Sequence, residues 1–577
     1  MGLRPGEGKR DRIASETAIL LPFALVVALS FGVSFATGNQ HSYLLDALRT
    51  LDPTFLRRDW YVSETYQYHP AFTRLILALA TIGPVGPMSA AAYIVLIIGF
   101  GVIVHRIVRV VGATRALAAT LLVLLFVLVE RTASLGNSFI FSVSIEPSSI
   151  AAVAFTGAML CFIRAWWLPA GLLLLLAGVF HVNFLVLGLL TFGLAYMLRS
   201  GWWREGERRS FVIGGMLLLG PGIALALYEL PVLLRASGGP DAARALYIFH
   251  FIRAPHHYVP RDFLGDLVPF LGWTAATAGL MGVTRAPANV RGRLSALGGT
   301  FSVLVIGATV VNTVTFVPTV SQLFFWRLAP FAVLLFQVVV SVALVRLVSE
   351  PCRVRIPPWQ LTLAAGGLAI IIMSGARTVL VNGARSTLPN VLLALLLIFL
   401  VFIILARAFR LPGTALIEPV TRQPAVVVGG VLAAAALWAV SGASWSLDIG
   451  GASGGLPEQE LYKWVRTTPK DTLFLTPPEL ETFRLHGQRA IVVDWKSMPV
   501  LPAELLEWYR RLCEVSGHQV TSRTDAIDGY RALDEARVER LRGSFAFDYV
   551  VVPASSRRLA LPVTFEDERY VVYSAVR

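Results

Sequence analysis

Five short stretches of this 577-residue chain carry side chains that can move protons and grip phosphate. Residues 38–70, GNQHSYLLDALRTLDPTFLRRDWYVSETYQYHP, hold Asp46, Asp52, Asp59, Glu64, His41, His69 and six aromatics. GNSFIFSVSIEP adds Asn137 and Glu146, FHVN adds His181 and Asn183, FIRAPHHYVP adds Arg253, His256 and His257, and SQLFFWR adds Gln322 and Arg327. A carboxylate in apolar surroundings can serve as a general base towards a hydroxyl, with its pKa tuned by those surroundings. Arginine presents parallel donors to a phosphate, and histidine can donate or shuttle a proton near neutral pH. Asp59 and His69 are therefore the expected catalytic pair, and Arg253, His256, His257, Gln322, Arg327, His181 and Asn183 the expected substrate-binding set. The chemistry this set fits is nucleophilic displacement with a phosphate leaving group, as in transfer of a sugar from a polyprenyl-phosphate donor whose tail lies in the membrane.

Each of these residues also has an ordinary structural reading. Asp59 after two arginines can be an ion pair that caps a surface helix, and tandem histidines in a proline-bounded loop can be a turn lined with interfacial aromatics. His181 can be the tip of a helical hairpin, and Arg327 can anchor a helix to lipid headgroups. What separates the readings is convergence: the functional one requires the aspartate, histidine and arginine groups to share one pocket at one end of a bundle.

The elements that must position them are membrane spans. With 55% hydrophobic and 15% charged residues and a mean hydropathy of +0.66, the bilayer is the main solvent of this chain. Apolar windows of span length fall near Thr17–Thr37, Ala90–Val104, Leu117–Val129, Ser148–Ile163, Trp167–Phe180, Phe184–Leu198 and Phe211–Leu230. Six more fall near Leu264–Val283, Leu297–Val317, Leu328–Val345, Leu361–Val381, Val391–Ala406 and Val426–Trp445. The expected fold is thus an α-helical polytopic membrane bundle of about 13 spans over 17–445, with Ala71–Ile82 lying at the surface. A basic cytoplasmic segment, 1–16, precedes the first span, which reads as an uncleaved signal anchor.

Arginine placement sets an expected orientation, because Lys and Arg are retained on the cytoplasmic side. Arg106, Arg109 and Arg115, then Arg199, Arg204, Arg208 and Arg209, then Arg285, Arg291 and Arg293 fall in alternate short loops. Arg346, Arg353 and Arg355, then Arg407, Arg410 and Arg422 continue the series. With the N-terminus inside, all five polar clusters fall in outer loops, the longest being 38–89 and 231–263, and the C-terminus is extracytoplasmic. The same placement explains the net charge of +14 without nucleic acid, for which no basic patch with interleaved stacking aromatics exists. Cys161, Cys352 and Cys513 are too scattered for a disulfide framework or a zinc site.

After a Gly/Ser linker at 446–456, residues 457–577 turn charged and periodic. Helices near Glu458–Arg466, Glu479–His486, Ala503–Val515 and Asp525–Leu541 interleave with strands near Leu473–Leu475, Ala490–Val493, Tyr549–Val552 and Tyr570–Tyr573. That alternation predicts a small α/β soluble domain outside the membrane. No Walker lysine loop, GxGxxG, GxSxG or CxxC motif occurs, which argues against ATP-driven transport and nicotinamide chemistry. No cofactor is indicated, and His69, His256 and His257 lack any fixed spacing of the HExxH kind that would mark a divalent-metal site.

An acidic first outer loop, about a dozen spans and an outer C-terminal domain together resemble the GT-C glycosyltransferase superfamily. LDPTFLRRDWYV, RAPHHYVP, QLFFWR and FRLHGQRAIVVDWKSMP more specifically resemble an uncharacterised family of bacterial polytopic membrane proteins, classed as a domain of unknown function. The GT-C resemblance implies an acidic catalytic residue in the first outer loop, matched by position at Asp59 with Asp46 and Glu64 as alternatives. It also implies a polyprenyl-phosphate-linked sugar as partner and the bacterial inner membrane as location. The adjacent acidic pair common in several GT-C families is missing from this loop. Arg484, Arg489, Asp494 and Lys496 match the uncharacterised family's pattern, and would either grip an acceptor or fix the domain on the bundle. Two alternatives to a transferase stand beside it: a non-enzymatic membrane component of cell-surface polysaccharide assembly or export, and a secondary transporter.

Overall fold

The computed structural model describes residues 32–129, 135–199, 208–349, 356–382, 447–448 and 456–575. The expected second to eleventh spans each coincide with a helix. Val85–Val110, Ala116–Val129, Pro147–Ile163, Trp167–Phe180, Val182–Arg199 and Arg208–Ser237 come first. Leu267–Leu280, Ala288–Val314, Ala329–Ser349 and Pro358–Asn382 follow. Helices overrun the apolar windows because backbone hydrogen bonding continues past the hydrocarbon; Val85–Val110, for example, carries Arg106 and Arg109 in its last turns. The expected span at Leu264–Val283 is shorter than read, an α-helix flanked by tight 3-10 turns at Leu264–Asp266 and Met281–Val283.

Among the described residues four helices are long and apolar enough to cross a membrane, Val85–Val110, Arg208–Val232, Ala288–Val314 and Pro318–Leu347, and six apolar helices are shorter. This is a multi-pass membrane protein. The expected number of 13 spans rests also on the twelfth and thirteenth and most of the first, which lie outside the described residues, as do 1–16 and most of the linker.

Helix packing follows membrane rules. Helices Leu267–Leu280 and Pro358–Asn382 approach so closely that a Cβ at Gly367 would sit 2.5 Å from Gly272 O, the close contact that small residues permit where lipid gives no hydrophobic drive. Phe155 at the bundle centre meets Phe184, Phe192 and Phe331 at ring separations of 5.7, 5.3 and 4.7 Å.

Two short parallel strands, β1 (Val33–Ser34) and β2 (Leu447–Asp448), tie the start of the described chain to the stretch before the C-terminal domain. That domain has a five-stranded sheet of β3 (Leu473–Leu475), β4 (Ala490–Ile491), β5 (Tyr549–Pro553), β6 (Val563–Glu566) and β7 (Tyr570–Ser574) in the order β4-β3-β5-β7-β6. Strands β4, β3 and β5 run parallel, and β7 and β6 are antiparallel to their neighbours. Edge strand β6 is additional to the sequence expectation; its VTFE alternates over only four residues and is mostly exposed, too short a pattern to stand out. The helix expected over Asp525–Leu541 is two, Arg523–Arg531 and Glu535–Phe545, because Asp534 accepts from Arg537 N at 2.8 Å and caps a new start.

The domain and the bundle share a core. Ala245, Ile248 and Ile252, from the loop before the eighth expected span, are buried with Trp508, Leu512 and Val550 of the domain. At the rim, Arg58 reaches Asp548 at 2.7 Å and Lys470 reaches Asp52 at 2.9 Å; exposed pairs of this kind contribute about 0–1 kcal/mol. Burial, not these pairs, holds the domain in place.

Candidate functional site

The first loop folds as short helices, Gln40–Tyr43, Leu45–Leu51 and Trp60–Glu64, on the way to Pro70–Ile82. The 242–266 loop does the same, and its Ile248–Arg253 segment is a π-helix, a wide turn that occurs mostly at functional sites. Between these loops, at the end of the bundle that carries the C-terminal domain, lies a cavity of about 450 Å³. Its walls come from the 38–43, 61–68, 137–148, 249–258, 324–327 and 496–498 segments.

Of the sequence-expected residues, Arg253, His256, His257 and Arg327 line this cavity. Arg327 projects from a short 3-10 turn, Phe325–Leu328, preceded by Phe324 in the left-handed region at φ +52°, a strained position for a non-glycine residue. Its guanidinium lies 5.0 Å over the Phe324 ring and 5.5 Å from Phe184, and Nη1 donates to His181 Nε2 at 2.9 Å. Arg253 donates to the Lys496 carbonyl at 3.3 Å and stacks 5.7 Å over Trp495. Among the described residues, the buried Nε of each arginine has no hydrogen-bond partner.

His257 is positioned by Gly136, whose carbonyl faces its Nδ1 at 2.7 Å. Gly136 has φ +62°, and a Cβ there would sit 3.1 Å from Trp326 Cβ and 3.2 Å from His257 O, so the turn needs glycine. Burial, then the neighbouring His256, holds His257 down to about 3, so it is a neutral imidazole.

His181, Asn183, Gln322 and His69 are not in the cavity wall. His181 backs Arg327, Asn183 Nδ2 donates to the Leu323 carbonyl at 2.8 Å, and Gln322 lies partly buried in the same turn. His69 packs behind, 4.8 Å from the Tyr43 ring and 5.4 Å from His181, and burial holds it near 3.

Asp59 departs most from expectation. It is fully buried, outside the cavity lining, and each oxygen is engaged. Oδ1 accepts from Val62 N at 3.3 Å as a helix cap; Oδ2 accepts from Arg484 Nε at 2.7 Å and Ile491 N at 3.0 Å. Arg484, 2% exposed, reaches Asp494 Oδ2 at 2.5 Å with its other arm. Burial alone would lower this guanidinium's pKa, but the Asp494 and Asp59 carboxylates outweigh it and raise it. The ordinary reading of Asp59 as an ion pair capping a helix matches the geometry, with a partner from the other domain in place of its neighbours Arg57 and Arg58. Of the alternatives, Asp46 accepts from Thr73 Oγ1 at 2.7 Å and Glu64 is exposed.

The carboxylate that does face the cavity is Glu146, absent from the expected site set. It occupies the N-cap of Pro147–Ile163 in an extended conformation, yet makes no capping bond. It accepts instead from Ser142 Oγ at 2.9 Å, Asn39 Nδ2 at 3.1 Å and Ser148 Oγ at 3.4 Å, in a cavity that Lys496 also lines. Burial pushes its pKa up, against those hydrogen bonds. The signal in the sequence is the acidic residue immediately before the proline that starts a span. Lys496, Tyr43 and Tyr68 also belong to this site; Lys496 enters from the C-terminal domain, and burial, then the Arg253 charge, lowers its pKa. Of its family-pattern companions, Arg484 and Asp494 fix the domain, and Arg489 bonds backbone carbonyls of Arg466 and Thr468 within it. Among the described residues no group of three or more His, Cys, Asp or Glu could hold a metal ion.

A family model for a domain of unknown function, DUF6798, matches residues 457–515, the segment that contains FRLHGQRAIVVDWKSMP. No curated protein matches the sequence. Among solved structures, the chain is similar to ArnT from Cupriavidus metallidurans bound to undecaprenyl phosphate, at 14% identity and TM-score 0.45 over 98% of both chains. The apo state of the same ArnT gives 14% identity and TM-score 0.42 over 99% of this chain and 98% of that chain.

Proposed function

We propose that this membrane protein is a glycosyltransferase of the GT-C kind that transfers a sugar from a polyprenyl-phosphate donor to an acceptor hydroxyl. The observation that carries the reading is the charge balance of the cavity: among the described residues, Arg253, Arg327 and Lys496 line it against the single carboxylate of Glu146. Buried cations without counter-ions are costly, and a phosphate headgroup supplies the missing negative charge. Arginine's planar fork suits a tetrahedral anion.

Glu146 is the group placed to act as base. The acceptor oxygen attacks the sugar's anomeric carbon, its proton passes to Glu146, and the bond between that carbon and the phosphate oxygen breaks with the electron pair left on phosphate. The raised pKa of Glu146 makes it a stronger base than an exposed carboxylate, while its three donors keep it oriented. Neutral His257 lines the leaving group's surroundings without adding charge, and His181 orients the charged Arg327 guanidinium from behind. Asp59, saturated by its own partners, takes no part in the step. With the N-terminus inside, the cavity opens on the extracytoplasmic face of the bacterial inner membrane, where the donor's head would be presented.

The test is affinity of the purified full-length protein for a polyprenyl phosphate in detergent. Arg253→Ala and Arg327→Ala should each weaken binding about 10- to 100-fold, the loss of a charge-assisted pair, with affinity for the uncharged polyprenol unchanged. Parent-like binding in both variants would overturn the reading.

A further inference from the structure

We infer that the C-terminal domain supplies a substrate-binding residue to the membrane cavity: Lys496 contacts the donor's phosphate, and Asp59 with Arg484 are positioning residues that set it there. The inference rests on the phosphate-donor reading above and adds where one of its ligands comes from and what holds it.

The route from Asp59 to Lys496 is continuous. Asp59 Oδ2 accepts from Ile491 N at the end of β4 and from Arg484 Nε, and Arg484 Nη1 grips Asp494. Asp494 then closes a turn over Lys496: its Oδ1 accepts from Ser497 N at 2.6 Å and its Oδ2 from Ser497 Oγ at 3.2 Å. Trp508 Nε1 holds the Asp494 carbonyl at 2.9 Å from below. The bundle grips the same turn from the other side, with Arg253 Nη2 on the Lys496 carbonyl at 3.3 Å and Ser42 Oγ 3.3 Å from Ser497 Oγ.

Lys496 therefore sits at the tip of a turn fixed by both parts of the molecule, with its side chain in the cavity wall. A lysine stem has four rotatable bonds, and a backbone held this firmly restricts where its ammonium can reach. Nothing in the domain's own core calls for a lysine here: Val492, Val493 and Trp495 beside it are buried, whereas Lys496 is only partly covered and turns towards the bundle. Glu481, a nearby carboxylate, is already paired with Arg523 at 3.0 Å.

The experiment is a double-mutant cycle on polyprenyl phosphate affinity, read against the polyprenol, with the full chain in detergent. Lys496→Met should weaken phosphate-dependent binding about 10-fold or more, and Lys496→Arg should restore most of it. Asp59→Asn should weaken it in the parent but cost little further in the Lys496→Met background, because both act through one contact. Ser497→Ala, which loosens the turn without touching a buried charge, should repeat the Asp59→Asn pattern and serves if that variant does not fold. Parent-like affinity in Lys496→Met, or equal losses from Asp59→Asn and Ser497→Ala in both backgrounds, would overturn the inference. If Arg253→Ala and Arg327→Ala weaken binding while Lys496→Met does not, the phosphate reading survives and this one alone fails.

Discussion

Two charged clusters lie within the same end of this molecule and are built on opposite principles. The Asp59–Arg484–Asp494 cluster is closed: one guanidinium between two carboxylates, with the backbone amides of Val62, Ile491 and Ser497 on the remaining oxygens. The cavity cluster is open: among the described residues three cations face one carboxylate, and Arg253 and Arg327 each carry a buried nitrogen without a hydrogen-bond partner. A saturated network has nothing left to offer a ligand, and its value is in fixing one part of the chain against another. An unsaturated one leaves charge for something absent to complete. The contrast assigns joining to the first cluster and binding to the second.

The sharpest way to break the contrast is at the carboxylates. Glu146→Gln should lower the transfer rate about 10²- to 10⁴-fold, the usual worth of a general base, with donor affinity little changed. Because burial raises the Glu146 pKa, the acid limb of the rate profile should lie above the ordinary carboxylate range: activity rises as pH passes through that value and the base ionises. The Gln variant should lose this limb. A profile unchanged by Glu146→Gln would place the base elsewhere.

Next in size is Arg484→Met, which leaves two buried carboxylates facing each other. Removing one partner of a buried pair costs about 3–5 kcal/mol, and here the cost should appear as early unfolding of the C-terminal domain in a denaturant titration followed by Trp508 fluorescence. Arg327→Met should show no comparable loss, since that arginine has no ion pair to break among the described residues. Equal destabilisation by both would erase the distinction.

The smallest effect concerns pH and the seam between the domains. His41 of the first loop and His486 of the C-terminal domain both turn Nε2 to the Ala36 carbonyl, at 3.1 and 2.9 Å. Burial, then His486, lowers the His41 pKa from 6.5 to about 4, with nearby Lys496 acting in the same direction. The folded state therefore holds the neutral imidazole. Its contribution is complete above pH 6.5 and declines as pH falls from 6.5 towards 4, where the unfolded chain binds the proton and the folded one does not. Melting temperature should drop over that window, and His41→Gln should flatten the drop; an unaltered slope would contradict the assignment.

How much of this was legible beforehand differs between the two clusters. The bundle is readable because a span's apolar run is long and unambiguous, and the polar loops from 38–89 to the SQLFFWR turn contribute to one cavity at one end of it. Arg253, His256, His257 and Arg327, each in a polar motif at a span mouth, are the expected residues that line the cavity. Asp59 was misplaced for a physical reason: an acidic loop residue and a catalytic one look alike until the partner is known, and Arg484 lies 425 positions along the chain. Glu146 stands in one of the polar motifs but outside the expected site set, because a lone Glu in a loop carries no local sign of what it faces; the structure shows its carboxylate free of capping duty and in the cavity wall. Lys496 was visible in its motif, but its choice between gripping a ligand and fixing the domain depended on docking, which no local pattern encodes.

The most direct test of the central claim is a cryo-EM map of the full-length protein with a polyprenyl phosphate added. The account predicts density for the phosphate between the Arg253 and Arg327 guanidiniums, within hydrogen-bond reach of both, with Asp59 still bound to Arg484. A headgroup seated outside this cavity, or one held by Asp59 and Arg484 after their pairing opens, would contradict it.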